Sequence, residues 1–410
     1  MATEEMPGSR AFCVGFFVGV GSRHESSRLH GASHFLEHAL FKGTPRRTAE
    51  EISAAVESVG GELNAYTAKE HTCFYARVMA DDADLVLDVL SEMITDSLLL
   101  GRDIDAERTV IMDEIAIHHD DPGEVAADMV AAAIFGDHGL GRPVIGSAHS
   151  IANLRRNQID AYWRRHYRPA SVVIAAAGAV DHDRLLAQVA RCDGLAEDRG
   201  RSVRRKTSKS AAGKLEPRVV TAVRDSVQVS ATLATPCPGT FDDRRYALGL
   251  LSLVLGGGMS SRLFVEVRER RGLAYAIEAG ETVYSDAGLF SVDWQCGPER
   301  LDDIVGVVRE VTADLAESGI EADELARAKT QLRGHTILAY EGPNARMSRL
   351  GSSAVTGDLR TLEEHLERYD AVTADEVQQM AQELFSSGPV LGVVGPKVPR
   401  RWLTALLDRW

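Results

Sequence analysis

The chain has 410 residues, 44% hydrophobic and 26% charged, which is more than one ordinary core organises and enough apolar material to fill two. Its 60 acidic and 46 basic side chains leave a net charge of −14; an acidic surface repels nucleic acid and anionic membrane, so neither is expected as a partner. The five cysteines, Cys13, Cys73, Cys192, Cys237 and Cys296, form no C-x-x-C pair, a sparse and odd set that fits reduced thiols in a cytoplasm.

Residues 11–20 are the first apolar run. They are too few to span a bilayer and follow Glu4 and Glu5 where an export signal is basic, so a buried strand is expected. Next comes His34-Phe35-Leu36-Glu37-His38. At about 100° per residue, positions i and i+4 share one side of a helix and i+3 lies beside them. His34 and His38 can therefore reach one ion while Glu37 stays within reach of a water next to it. This is the layout of a hydrolytic zinc site: zinc takes two neutral imidazoles and a carboxylate and keeps one position for water, whose pKa falls to about 7. Glu37, not itself a ligand, is placed to take that water's proton. The order H-x-x-E-H is the inverzincin signature, the reverse of the commoner H-E-x-x-H. Lys42-Gly43-Thr44-Pro45 supplies a helix stop, so the motif sits on a short bounded helix.

A third ligand must then come from a second helix. Residues 103–119 read as one, with Glu107 and Glu114 seven residues apart on one face and Val110, Ile111 and Ile115 free to pack. His118, one turn after Glu114, competes for the same role. From 197 to 218 the chain turns rich in Arg, Lys, Ser and Gly, including Arg204-Arg205-Lys206, and loses apolar periodicity; it reads as an exposed linker between residues 1–196 and 219–410. The order of elements repeats on either side: a strand, a helix, a helix ending at Gly60 or Gly272, paired strands, a helix from about residue 83 or 301, and another from about 103 or 322. The chemistry does not repeat. Opposite His34, Glu37 and His38 the second half has Arg245-Tyr246-Ala247-Leu248-Gly249-Leu250, and near the counterpart of Glu114 it has Thr330-Gln331. The pattern predicts an α+β protein of two homologous domains, each a largely antiparallel sheet with helices packed on one side, only the first bearing metal ligands.

The chain resembles the M16 metallopeptidases, the family of pitrilysin, insulin-degrading enzyme and mitochondrial processing peptidase. In that family a ligand glutamate follows the H-x-x-E-H helix, with another glutamate seven residues before it. Glu114 follows His38 by 76 residues and Glu107 precedes it by seven, so the resemblance implies that Glu114 binds the metal and Glu107 supports the ligands from behind. Gly60-Gly61-Glu62-Leu63-Asn64-Ala65-Tyr66-Thr67 is similar to the family's G-G-x-x-N-A-x-T strand, which borders the metal and pairs with substrate backbone. Asn64, Ala65 and Tyr66 are thereby implicated in holding an extended peptide by strand addition. The block from Ser260 to Tyr275 resembles a second functional block, whose arginine and tyrosine help hold the substrate; Arg268 and Tyr275 match them.

Family members generally carry an L-P-N-G-L-like strand ahead of the region matching residues 3–8, so either the start is truncated or that first strand is absent. The resemblance is closest to the half-length bacterial and processing-peptidase branch. It implies a zinc-dependent endopeptidase or oligopeptidase with one zinc per chain, acting on peptides or unfolded segments inside a closed homodimeric chamber. Two other readings stay open: a non-catalytic assembly subunit, and a zinc hydrolase acting on a non-peptide bond, because the motif specifies water activation and not the substrate.

Overall fold

The computed structural model describes residues 1–192, 195, 218–386, 388–408 and 410. The linker expected over 197–218 lies outside the described residues except for Arg218, which opens a strand. The first half runs β1 (Ala2–Glu5), β2 (Ala11–Val18), α1 (Ala32–Leu40), α2 (Ala49–Glu57), β3 (Glu62–Thr67), β4 (Thr72–Met79), α3 (Ala83–Thr95), α4 (Gly101–Asp120), α5 (Pro122–Phe135), α6 (Ala148–Asn153), α7 (Arg156–His166), β5 (Val172–Gly178) and α8 (His182–Val189). The second runs β6 (Arg218–Val223), β7 (Val229–Cys237), α9 (Arg245–Gly256), a π-helical turn over Phe264–Arg270, β8 (Ile277–Val283), β9 (Gly288–Cys296), α10 (Leu301–Ser318), α11 (Ala322–Ala339), α12 (Pro343–Thr356), α13 (Leu362–Ala371), α14 (Ala374–Phe385), β10 (Val390–Gly395) and α15 (Arg400–Leu407).

Each half builds a five-stranded sheet of the same topology, β1-β5-β2-β4-β3 and β6-β10-β7-β9-β8. In each, one edge pair is parallel (β1 with β5, β6 with β10) and the other pairs are antiparallel. The expected α+β class is thus the observed one. The apolar run at residues 11–20 becomes the central strand β2, buried along nearly its whole length.

Burial on both sides explains why β2 reads as a continuous apolar stretch and not as an alternating one. Side chains alternate across a sheet, so Phe12, Val14, Phe16 and Val18 enter one core, with Phe35, Leu36, Leu87, Leu90 and Ile111 from the helical layer. Cys13 and Phe17 enter a smaller core on the other face, against Met347 of α12. Among the described residues each sheet carries one helix on its second face, and each such helix comes from the other half of the sequence. One compact unit takes Met1–Ala116, the residues from Arg142 to the end of the first half, and Ile337–Leu359, which include α12. The other takes Ile117–Gly141, which include α5, with the second half up to Thr336 and Arg360–Trp410. In this second unit α5 lies on the sheet through Val130, Ile134 and Phe135, against Ala234 and Val390.

Both helices approach their sheets at glycines. A Cβ added at Gly351 of α12 would lie 2.0 Å from the Phe17 ring, and one at Gly392 of β10 would lie 2.6 Å from Val130 and 3.0 Å from the Ala126 carbonyl of α5. Gly351→Ala and Gly392→Ala are each expected to destabilise the fold by about 1–3 kcal/mol through overpacking. Gly306→Ala in α10, where an added Cβ meets nothing, should gain about 0.5–1 kcal/mol. Denaturant midpoints of the three variants test this, and a neutral Gly351→Ala would contradict so close a helix seat.

Candidate metal centre

The helix α1 has two unlike faces. Phe35, Leu36, Ala39 and Leu40 are buried in the first unit's main core, where each large apolar side chain contributes roughly 1.5–3 kcal/mol of burial. His34, Glu37 and His38 occupy the other face, half-buried. The helix ends at Phe41, followed by Gly43 at φ +123° and Pro45, where the sequence signals a stop. The loop beyond is pinned by Arg46 and Arg47, which pair with the buried Glu92 of α3 at 2.5 and 2.7 Å.

The second helix, α4, buries Ile104, Glu107, Ile111 and Ile115, one stripe at helical spacing. Arg108 leaves the same helix to lie 5.5 Å from the Phe35 ring centroid, which ties α4 to α1. In this register Glu114 Oε2 comes 3.7 Å from His34 Nε2 and 3.5 Å from His38 Nε2. One donor atom from each of these three residues lies within 4.8 Å of the others, and they are the only such group of three among the described residues. His118, the sequence competitor, instead pairs with Asp128 at 2.7 Å.

Behind the donors, His38 Nδ1 donates to Glu107 Oε2 at 3.1 Å, and the other Glu107 oxygen pairs with Lys42. Glu107 is only 4% exposed, so its charge is compensated at both oxygens by α1 and the residue just beyond it. His34 is held neutral: burial and the neighbouring His38 lower its pKa to about 4, so it presents a free nitrogen lone pair at ordinary pH.

Glu37 stands slightly apart. Its Oε2 accepts the Thr67 hydroxyl at 2.5 Å, which joins α1 to the end of β3. Burial pushes the Glu37 carboxyl above the usual glutamate range, partly opposed by the Thr67 hydroxyl. β3 is the outermost strand of its sheet, so its far edge is unpaired by any described strand. On that strand Asn64 is exposed and its side-chain oxygen accepts the Ala65 amide at 2.8 Å. Tyr66, two residues on, shares that face, its ring packed against Tyr75 and its hydroxyl 3.3 Å from His71 Nε2.

In the second unit Arg268 sits within the π-helical turn, an irregularity that often marks functional positions, with its guanidinium 4.7 Å from the ring centroid of Tyr275. Tyr275 is 82% exposed and lines a cavity of about 450 Å³ with Gln228, Ser230, Thr232, Glu278 and Asp293. Arg268 and Tyr275 are thus neighbours. In the same unit α9 is buried almost all round and carries no histidine, cysteine or carboxylate side chain.

Three contributors escaped the sequence reading. Thr67 ended a recognised block without a role of its own, Lys42 served only as part of a helix stop, and Glu25 carried no signal at all. Glu25 is 4% exposed, and its two carboxylate oxygens accept the amides of Gly31 and Ser33 at the start of α1, each at 2.7 Å.

Two α+β units of the same sheet topology, only the first with a converging histidine and glutamate cluster among the described residues, define the class. The chain belongs to peptidase family M16: the family model described as Insulinase (Peptidase family M16) matches residues 1–148, and the one described as Peptidase M16 inactive domain matches residues 153–332. An uncharacterized zinc protease of Streptomyces coelicolor is 41% identical over 405 residues, covering 97% of this chain and 87% of that one. One from Mycobacterium tuberculosis is 43% identical over 406 residues, covering 98% of this chain and 92% of that one. The crystal structure of a protease from Helicobacter pylori shares the fold at a TM-score of 0.90 and 20% identity, covering 96% of each chain.

Glu25 generates a pH prediction. Burial raises its pKa from 4.5 to about 7, against the pull of the two amides. A carboxyl with a raised folded pKa keeps its proton longer in the folded state, so folding takes up a proton between those values. Its contribution to stability therefore falls as pH rises from about 4.5 to about 7 and is level above that. The stability of wild type minus that of Glu25→Gln should fall across this window by on the order of 3 kcal/mol at most. Denaturant titrations at several pH values check this; a pH-independent difference would remove Glu25 from the response.

Proposed function

We propose that this chain is a zinc-dependent peptidase in which His34, His38 and Glu114 hold the metal and Glu37 acts as general base. The observation that carries the reading is the convergence of two imidazole Nε2 atoms and one carboxylate oxygen, beside a separate carboxylate steadied by Thr67. The donor set fits a divalent ion in charge as well as in type. Glu37, Glu107 and Glu114 stand against the single ammonium of Lys42, a surplus of negative charge that a divalent cation offsets. The zinc in the names of the relatives supports the choice of metal.

Zinc, when bound, supplies Lewis acidity toward a carbonyl and acidifies a water to near neutrality. Glu37 has one oxygen occupied by Thr67, which leaves the other to take the water's proton and pass it to the leaving amine. Burial raises its pKa, the direction that makes a carboxylate a stronger base toward a water. The free edge of β3 offers Asn64, Ala65 and Tyr66 to an extended peptide, which main-chain hydrogen bonds would hold regardless of its side chains. Residues 1–196 then carry the chemistry, and residues 219–410 help hold the substrate through Arg268 and Tyr275. Peptides or unfolded segments in a cytoplasmic homodimer remain part of this proposal. Among the described residues no helix is long and apolar enough to cross a membrane.

Cleavage of a fluorogenic peptide library, with chelator and after zinc is returned, is the direct test. Activity that ignores the chelator, or a metal-loaded protein that cleaves no peptide, would count against a zinc peptidase. Glu114→Ala should lose the metal, whereas His118→Ala should keep it. Glu37→Gln should retain zinc and lose at least about 100-fold in turnover, the low end for a general base; near-normal turnover would exclude it. For the homodimer, mixing Glu37→Gln chains with Tyr275→Phe chains should restore part of the lost activity. Proven subunit exchange without recovery would refute a Tyr275 supplied by the partner.

A further inference from the structure

We propose that Glu25 is a positioning residue for His34: by holding the first turn of α1 it sets the place of that imidazole, and with it the affinity of the donor cluster for a divalent metal. This rests on the metal assignment above.

The two imidazoles have unequal support. His38 is aimed by Glu107, which is itself held by Lys42. The Nδ1 of His34 is buried and has no hydrogen-bond partner among the described residues. A ligating imidazole normally owes its direction to a group on its second nitrogen. His34 lacks one, so its direction is inherited from packing and from the backbone that carries it.

That backbone is the first turn of α1, where amides have no partner within the helix. The usual remedy is a capping side chain at the residue before the helix. Here that residue is Gly31, in a left-handed conformation at φ +88° and with no side chain to offer. Glu25 supplies the missing acceptor from upstream, one oxygen for the Gly31 amide and the other for the Ser33 amide. Ser33 immediately precedes His34, and its hydroxyl shares a 2.8 Å hydrogen bond with the Tyr162 hydroxyl.

The backbone that carries this carboxylate is itself anchored. The Glu25 carbonyl accepts the Arg142 guanidinium at 2.6 Å, and the Arg23 amide donates to the Lys69 carbonyl at 2.8 Å. The Arg23 side chain pairs with Glu70 at 2.6 Å. A continuous set of contacts thus runs from the β3–β4 connection through residues 23–25 to the amides under His34. A glutamine at position 25 would keep one acceptor oxygen but turn an amide group toward one of the two backbone donors, so the turn would be held on one side only.

The test is a metal-affinity cycle. Zinc and cobalt(II) dissociation constants are measured by chelator competition, or by direct cobalt titration where binding is weak, for wild type, Glu25→Gln, His34→Ala and the double variant. Glu25→Gln should weaken zinc binding by about 10–100-fold, the range for groups that orient a ligand, and alter the cobalt(II) d–d bands. In the His34→Ala background the same change should cost less than about 2-fold, because the ligand it acts through is gone. An equal loss in both backgrounds, or no loss in either, would overturn the proposal. If Glu25→Gln does not fold, Glu25→Asp, which keeps the charge but shortens the reach, takes its place in the cycle under the same criteria. A His34→Ala chain that binds metal as wild type does would refute the metal assignment instead, a result distinct from failure of the Glu25 role.

Discussion

A buried carboxylate between an ammonium and an imidazole organises this site. Taking Glu107 out of water costs several kcal/mol unless both its oxygens find charged or donating partners. Both partners, Lys42 and His38, belong to α1 or lie just past its end. The helix α4 can therefore dock in only one register without leaving that carboxylate uncompensated, and two turns further along this register brings Glu114 to the Nε2 atoms of His34 and His38. The apolar stripe of Ile104, Ile111 and Ile115 supplies most of the packing energy; Glu107 makes the register selective.

The same constraint explains why the two units diverge while sharing a topology. In the second unit α9 occupies the place of α1, but Leu248, Leu250, Leu251 and Leu255 are fully buried and its polar Tyr246 is shielded among guanidiniums. Such a helix carries no acidic side chain for a cation to compensate. The first unit gathers three carboxylates and two imidazoles in a small volume. A helix with a polar, half-buried face in one unit and a helix buried almost all round in the other thus lie on five-stranded sheets of the same topology.

Much of this was legible in advance, and the reason is periodicity. His34, Glu37 and His38 are neighbours within one helical turn, so residue spacing alone brings them together. The paired strands, the repeat of elements and the burial of β2 also follow from local pattern. Glu107 and Glu114 could be placed on one face of one helix, but spacing could not say which acid met the imidazoles and which lay behind them. Thr67, Lys42 and Glu25 were beyond reach for a different reason: each is an ordinary polar residue whose importance lies in one or two contacts with residues outside its own turn or strand. Periodicity likewise says that α5 and α12 have apolar faces but not which sheet they cover, and each crosses to the other half's sheet at a glycine.

By itself the sequence determined the elements, the apolar faces and the local constellation of metal-binding residue types, because these depend on angles and rises that repeat every few residues. Only the tertiary structure decided which acid faces the imidazole Nε2 atoms, which carboxylate is compensated by Lys42, and which acceptor caps a helix that begins at a bare glycine. Those outcomes depend on distances between residues 6 to 80 positions apart, and a charge or an amide in low dielectric is satisfied or not according to that distance.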